Sequence, residues 1–303
     1  MDETDPGIGL ARPFLKYPGG KSALASIIVK ALLPKGRVAT YYEPMVGGGA
    51  VFFELARRRV FDHAVLGDAN AEVINVYEVI RDEVQSLIRI LMAHQARFDV
   101  PSLEARKAYY YELRAVNPAT VGPVVRAART IALNKTCFNG LFRFNKSGRF
   151  NVPYGQYPKP CVLHEGVLRA ASEALRGVSL HCADFSVTVA RAGKGSAIYF
   201  DPPYVPTSTT AQFTAYTGAG FKIADHEQLR SCFEACVSRG AHCVASNSIT
   251  ALPIWKSAPH VRIDRIEVRR AINSIGDKRG PVTELLVTSI KGERRGPREP
   301  SEE

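Results

Sequence analysis

Seven short apolar runs recur along the chain, and their rhythm constrains its fold more than any other feature. They read "ATYYEP", "HAVLGD", "VSLHCAD", "SAIYFDPP", "HCVASN", "VRIDRIEV" and "ELLVTSI", each bounded by turn or acidic residues, as strands are. Between them, apolar periodicity and capping residues predict helices over residues 21–32, 49–58, 71–81, 165–175 and 225–238. Strand and helix alternating in this way predict an α/β fold of about seven strands, with a largely parallel sheet covered by helices on both faces.

The alternation stops between residues 83 and 159. There the helical patterns "EVQSLIRILMAHQARF" and "PVVRAARTIALNK" follow one another without a clear strand. We therefore divide the 303 residues into a discontinuous domain, 10–82 and 160–292, and an inserted domain, 83–159. The insert ends in "CFNGLFRFNKSGRFNVPYGQYPKP", where aromatic and polar residues alternate around "NKSGRF". "KSG" suits a tight turn, which predicts a β-hairpin over about 137–158. Arg143, Lys146 and Arg149 crowd this hairpin, as in a surface that meets stacked bases. A solvated ribbon with aromatic feet in the core is the competing reading. The polar, Gly/Pro-bearing ends, 1–9 and 293–303, read as disordered tails.

Charge agrees with a polyanionic partner without proving one. Forty Lys and Arg stand against 29 Asp and Glu, a formal charge of +11. The cysteines at 137, 161, 182, 232, 236 and 243 form no CxxC pair and have no histidine at metal spacing, so no metal is expected. Cys232 and Cys236 lie on one face of a predicted helix, a position that reads as burial. With no signal peptide and no apolar run near 18 residues, the chain reads as a soluble cytoplasmic protein without a membrane partner.

Three motifs carry chemistry. The segment "FLKYPGGKSAL" ends like a phosphate-binding loop, but such a loop needs a glycine where Leu15 stands, and "DPGIGLARP" supplies no launching strand. An ATPase reading fails on both counts. In "YYEPMVGGGAVFFEL" a strand leads through Gly47, Gly48 and Gly49 into a helix, so backbone can approach a ligand at the strand's carboxyl end. Asp68 follows about 20 residues later, where an acid commonly accepts the hydroxyls of an adenosine ribose; capping of the next helix is its other possible role. In "AIYFDPPYVP" an apolar strand ends in Asp201, then Pro202, Pro203 and Tyr204. Prolines offer carbonyls and no N–H, so this loop accepts hydrogen bonds. A carboxylate, rigid carbonyls and an aromatic face together suit an exocyclic amine on a base.

These motifs, in this order, resemble the Dam-type, D12 class DNA adenine-N6 methyltransferases over roughly residues 13–290. The resemblance rests on "FLKYPGGK", "EPMVGGGAVF", "GDANAEVINVYEVI", "NKTCFNGLFRFNKSGRFNVPYG", "DPPYVP", "FTAYTGAGF" and "ASNS". It implies a Rossmann-like methyltransferase fold, S-adenosyl-L-methionine as methyl donor, and double-stranded DNA as partner of a monomer or weak dimer. It further implies a cofactor pocket of Tyr17, Lys21, Glu43, Gly47, Gly49, Asp68 and Asp201, with Asp201, Pro202, Pro203 and Tyr204 at the target base. Lys16, Phe138, Asn139, Leu141, Arg143, Pro153 and Tyr157 match the family's DNA contacts, with GATC as the expected site. The chain departs from the family in having Phe138 where tyrosine is more usual, Tyr17 where tryptophan is common, and Pro158 where members can carry lysine. Cytosine-N4 enzymes usually carry SPPY and glutamine-modifying enzymes NPPY, so Asp201 points to adenine. A DNA-binding protein with a decayed site is the alternative from another class.

Overall fold

A computed structural model describes residues 11–17, 19–145, 149–205, 221–269 and 281–290. The expected tails, the "KSG" turn and most of "FTAYTGAGF" lie outside the described residues. All seven apolar runs are strands: β1 (Val38–Glu43), β2 (Phe61–Asp68), β3 (Ser179–Cys182), β4 (Ser196–Phe200), β5 (His242–Ser248), β6 (Val261–Arg269) and β7 (Pro281–Ser289). They form one sheet in the order β3-β2-β1-β4-β5-β7-β6. The first five are mutually parallel, whereas β7 inserts antiparallel between β5 and β6. The chain leaves β1 toward β2 and β3 and returns to β1's other side at β4. That reversal opens a crevice at the carboxyl ends of β1 and β4, where α/β sheets bind ligands.

Alternation along the central strands explains their nearly continuous apolar runs. Tyr41, Ala197, Tyr199, Val244 and Leu286 enter one core, with residues of α1 (Ala25–Leu32), α2 (Ala50–Arg58), α3 (Ala71–Phe98), α5 (Pro123–Thr136) and α6 (Glu165–Leu175). Tyr42, Ile198, Phe200, Cys243, Ala245, Leu285 and Val287 enter the other, with α7 (Phe185–Thr188), α8 (Ile223–Ser238) and α9 (Leu252–Lys256). A strand buried on both faces needs apolar residues at both parities. Cys236 is buried in the second core and Cys232 is half-buried against it.

The 83–159 segment differs in detail from its sequence reading. The expected boundary falls inside α3, which continues to Phe98 and leaves helical geometry at Glu83 (φ −133°, ψ 34°). Beyond it, α4 (Leu103–Ala115) begins at Ser102, whose side chain accepts from the Ala105 N–H, and Pro123 opens α5, where its missing N–H costs nothing. The hairpin is less regular than expected. Its described residues make two isolated antiparallel bridges, Cys137 with Tyr154 and Phe144 with Phe150, and no continuous strand. A 3-10 turn at Phe138–Gly140, with φ of 53° at Asn139 and 62° at Gly140, breaks the ladder. Side chains hold the ribbon instead: Phe142, Phe150, Val152 and Tyr154 are buried. Each such side chain contributes about 1.5–3 kcal/mol of burial.

Candidate active site

The carboxyl ends of four parallel strands bring together residues far apart in sequence. Glu43 ends β1, Asp68 ends β2, Asp201 follows β4, and Ser246 and Asn247 lie near the end of β5. The Tyr41 hydroxyl donates to Glu43 Oε2 at 2.7 Å. Burial, with added repulsion from Asp201, raises the Glu43 carboxyl to about 8. Asp68 receives the Gly47 N–H at 3.0 Å on one oxygen and the Asn70 N–H at 2.9 Å on the other. Burial still raises it to about 6. The helix-capping role weighed for Asp68 belongs to Asn70, whose side chain accepts from the Glu72 N–H at 2.9 Å.

The glycine loop closes over this edge. Gly47 and Gly49 have φ of +46° and +69°, a left-handed backbone that glycine adopts without strain. Tyr17 lies across the loop: a Cβ on Gly47 would come within 2.8 Å of its ring. Tyr77, buried behind, donates its hydroxyl to the Gly47 carbonyl at 3.2 Å.

Lys21 is buried, and its Nζ lies 3.0 Å from Asp201 Oδ1 and 2.6 Å from the Gly19 carbonyl. The same oxygen of Asp201 accepts from Ser246 Oγ at 2.7 Å, and Ser246 Oγ lies 2.8 Å from the Tyr199 hydroxyl. Asp201 is thus fixed by a cation and a hydroxyl while keeping 21% side-chain exposure. Pro202 is buried and Pro203 half-buried. The Lys21 ammonium stands 4.7 Å over the Tyr204 ring, and Tyr204 donates its hydroxyl to Glu284 Oε2 at 2.6 Å. Burial and the Asp201 and Glu284 carboxylates raise the Tyr204 phenol, which therefore remains a donor. Next along the loop, the Val205 N–H donates to Asn247 Oδ1 at 3.3 Å, and its carbonyl accepts from Ser248 and Thr250.

Sequence reasoning missed Ser246, Asn247 and Glu284 as supports of this loop. Ser246 and Asn247 fall in "ASNS", a motif given no role there, and Glu284 leaves a faint signal as an acid opening the otherwise apolar run "ELLVTSI".

On the inserted side, Lys16, Phe138, Asn139, Leu141, Arg143, Pro153 and Tyr157 gather around the ribbon and the base of α5. Phe138 is 46% exposed, and its N–H donates to the Pro153 carbonyl at 2.9 Å. Leu141 packs at the edge of the first core. Arg143 Nε donates to Asn151 Oδ1 at 2.9 Å, the Tyr157 hydroxyl donates to the Cys137 carbonyl at 3.2 Å, and Lys16 Nζ lies 4.5 Å over the Tyr157 ring. Beside the ribbon is a cleft of about 410 Å³ that the sequence did not disclose, bordered by Arg114, Arg129, Arg149, Asn145 and Asn151.

A testable consequence follows from the carboxylates. A carboxyl raised in the folded state binds its proton more tightly there than when unfolded, so its folding contribution falls as pH rises from about 4.5 to about 8 for Glu43. Glu43→Gln, which still accepts from Tyr41, is expected to raise the urea midpoint at pH 8 and leave it nearly unchanged at pH 4.5. An equal shift at both pH values would contradict a protonated, desolvated Glu43.

The family model for D12 class N6 adenine-specific DNA methyltransferases matches residues 17–274. The type II methyltransferase M.MjaIII of Methanocaldococcus jannaschii is 38% identical over 283 residues, 91% of this chain and 98% of the relative. The type II methyltransferase M1.LlaDCHI of Lactococcus lactis subsp. cremoris is 37% identical over 286 residues, 92% and 95% of the two chains. The DNA adenine methylase of Salmonella typhi is 35% identical over 280 residues, 91% and 94% of the two. The match begins at the tyrosine that lies on the glycine loop and runs past the acceptor loop at Asp201, and the chain belongs to the D12 class of N6 adenine-specific DNA methyltransferases.

Proposed function

We propose that the chain methylates adenine N6 within GATC in duplex DNA, with the target base turned out of the helix into the crevice between β1 and β4. The observation that carries this reading is Asp201, held by Lys21 and Ser246 at the mouth of a proline loop that offers carbonyls. The amino nitrogen of adenine is a poor nucleophile because its lone pair is delocalised into the ring. The Asp201 carboxylate and the Pro202 carbonyl accept its two hydrogens, localise the lone pair and stabilise the positive charge that develops on nitrogen. Asp201 need not take a proton before transfer. The base stacks on Tyr204, whose ring is fixed by Lys21 and Glu284.

The donor chemistry fits S-adenosyl-L-methionine, which supplies an electrophilic methyl group on a cationic sulfur. Glu43 and Asp68 are carboxyl groups raised by burial despite the donors they already have. A cationic ligand carrying an ammonium and ribose hydroxyls would favour their charged forms. Tyr17, Lys21, Gly47 and Gly49 would complete the pocket around it, and the glycine backbone permits close approach.

For DNA, Lys16 and Arg143 suit guanine O6 and N7, and Leu141 suits a thymine methyl. Phe138 enters the stack beside the target on this reading, which its exposure supports, and Asn139, Pro153 and Tyr157 make further DNA contacts. The cleft of Arg114 and Arg149 is suited to backbone phosphates, which position the duplex without reading it. On this reading residues 83–159 form the recognition insert.

A GATC duplex with 2-aminopurine at the target position tests the extrusion. Fluorescence is expected to rise severalfold on binding; a duplex that binds with unchanged fluorescence would rule out flipping.

A further inference from the structure

Residues 14–17 run between the cofactor side and the DNA side of the proposed site, and one side chain of α5 holds them. Asn134 is completely buried. Its Oδ1 accepts the Lys16 N–H at 2.8 Å and its Nδ2 donates to the Lys16 carbonyl at 2.7 Å, across 118 residues of sequence. One amide thus satisfies both backbone groups of Lys16, as a neighbouring strand does in a hydrogen-bonded antiparallel pair.

From this clamp, two consecutive side chains go to different places. The Lys16 stem lies on Gly140, where an added Cβ would come within 2.5 Å of Lys16 Cδ, and its ammonium reaches the Tyr157 ring and the Lys135 carbonyl. Tyr17 lies on the cofactor loop, against Gly47 and Gly48.

We propose that Asn134 is a positioning residue that sets the base-reading Lys16 and the cofactor-facing Tyr17 as one unit, so that cofactor binding and base discrimination depend on the same amide. This rests on the readings of Lys16 and Tyr17 given above. Asn134 acts only through these two residues. Without its amide the Lys16 N–H and carbonyl lose the two hydrogen bonds that tie this segment to α5, and the segment is free to shift. A ligand seated against Tyr17 and a base pair read by Lys16 bias the same segment, so each favours the other's binding.

The test compares Asn134→Ala, Asn134→Asp, Lys16→Ala and the double variant Lys16→Ala/Asn134→Ala, each checked for folding by circular dichroism. Calorimetry measures S-adenosylmethionine affinity without DNA. Discrimination is the ratio of kcat/KM on the preferred duplex to that on duplexes changed at one base.

Asn134→Ala is expected to weaken the cofactor at least about fivefold and to lower discrimination at one base pair about tenfold. Asn134→Asp keeps the acceptor and loses the donor, so it falls between; it serves the same comparison if the alanine variant does not fold. In the double variant, discrimination is no worse than in Lys16→Ala, while the cofactor loss persists. A packing role alone lowers the melting temperature and leaves discrimination intact. Unchanged cofactor affinity or discrimination in a folded Asn134 variant, or additive loss in the double variant, overturns the proposal. If Lys16→Ala itself leaves discrimination intact, the base-reading role of Lys16 falls and the coupling falls with it. If only the Asn134 variants leave it intact, the Lys16 role stands and the clamp alone fails.

Discussion

Asp201→Ala is expected to slow methyl transfer by about a thousandfold, the scale of losing one preorganised charge-stabilising group, while duplex binding persists. The carboxylate is oriented by the protein's own groups, with Lys21 Nζ at 3.0 Å and Ser246 Oγ at 2.7 Å on the same oxygen. Its removal deletes the proposed acceptor for the amino group and also leaves the buried Lys21 ammonium without its counter-ion. Asp201→Asn separates these effects, because an amide keeps the shape and an acceptor oxygen but carries no charge. It should fold as the native chain does and still lose most of the rate. Single-turnover kinetics give the transfer rate, and fluorescence anisotropy gives DNA affinity. A rate within tenfold of the native chain in either folded variant would remove Asp201 from the chemistry.

Gly49→Ala is expected to destabilise the fold by about 2–4 kcal/mol, the sum of left-handed backbone strain and overpacking. Gly49 has φ of +69°, and an added Cβ would stand 2.4 Å from the Tyr77 hydroxyl and 3.2 Å from the Phe53 ring. Tyr77 is fully buried and bonded to the Gly47 carbonyl, so it cannot yield without deforming the glycine loop. Gly36→Ala is the control: Gly36 has φ of +80° but nothing within 4 Å of the added carbon, so it reports strain alone. Urea midpoints compare them. If Gly49→Ala is no worse than Gly36→Ala, the loop is not packed as tightly as described.

The sheet was legible in the sequence because each strand is a short apolar run, and a parallel sheet buried on both faces produces such runs directly. The extension of α3 to Phe98 was less so, because the chain bends at Glu83 without a proline or glycine to announce it. In the ribbon Phe142, Phe150 and Tyr154 are feet in the core, as one reading of the alternation expected, while Phe138 is exposed. Alternation showed that two faces exist, but not that Asn139 and Gly140 would interrupt the pairing.

At the site, the residues on strand ends and in the glycine loop were legible from local motifs. Their supports were not. Ser246 meets Asp201 across 45 residues, Glu284 meets Tyr204 across 80, and Asn134 meets Lys16 across 118. Nothing local in a sequence marks a hydrogen bond that only the tertiary fold creates.

The most direct test of the central claim is to incubate the chain with S-adenosylmethionine and unmethylated plasmid, digest to nucleosides for mass spectrometry, and map the modified positions. N6-methyladenine and no other methylated base is expected, confined to GATC and lost with Asp201→Ala. N4-methylcytosine, or no methylated nucleoside from a chain that binds the plasmid, would contradict it.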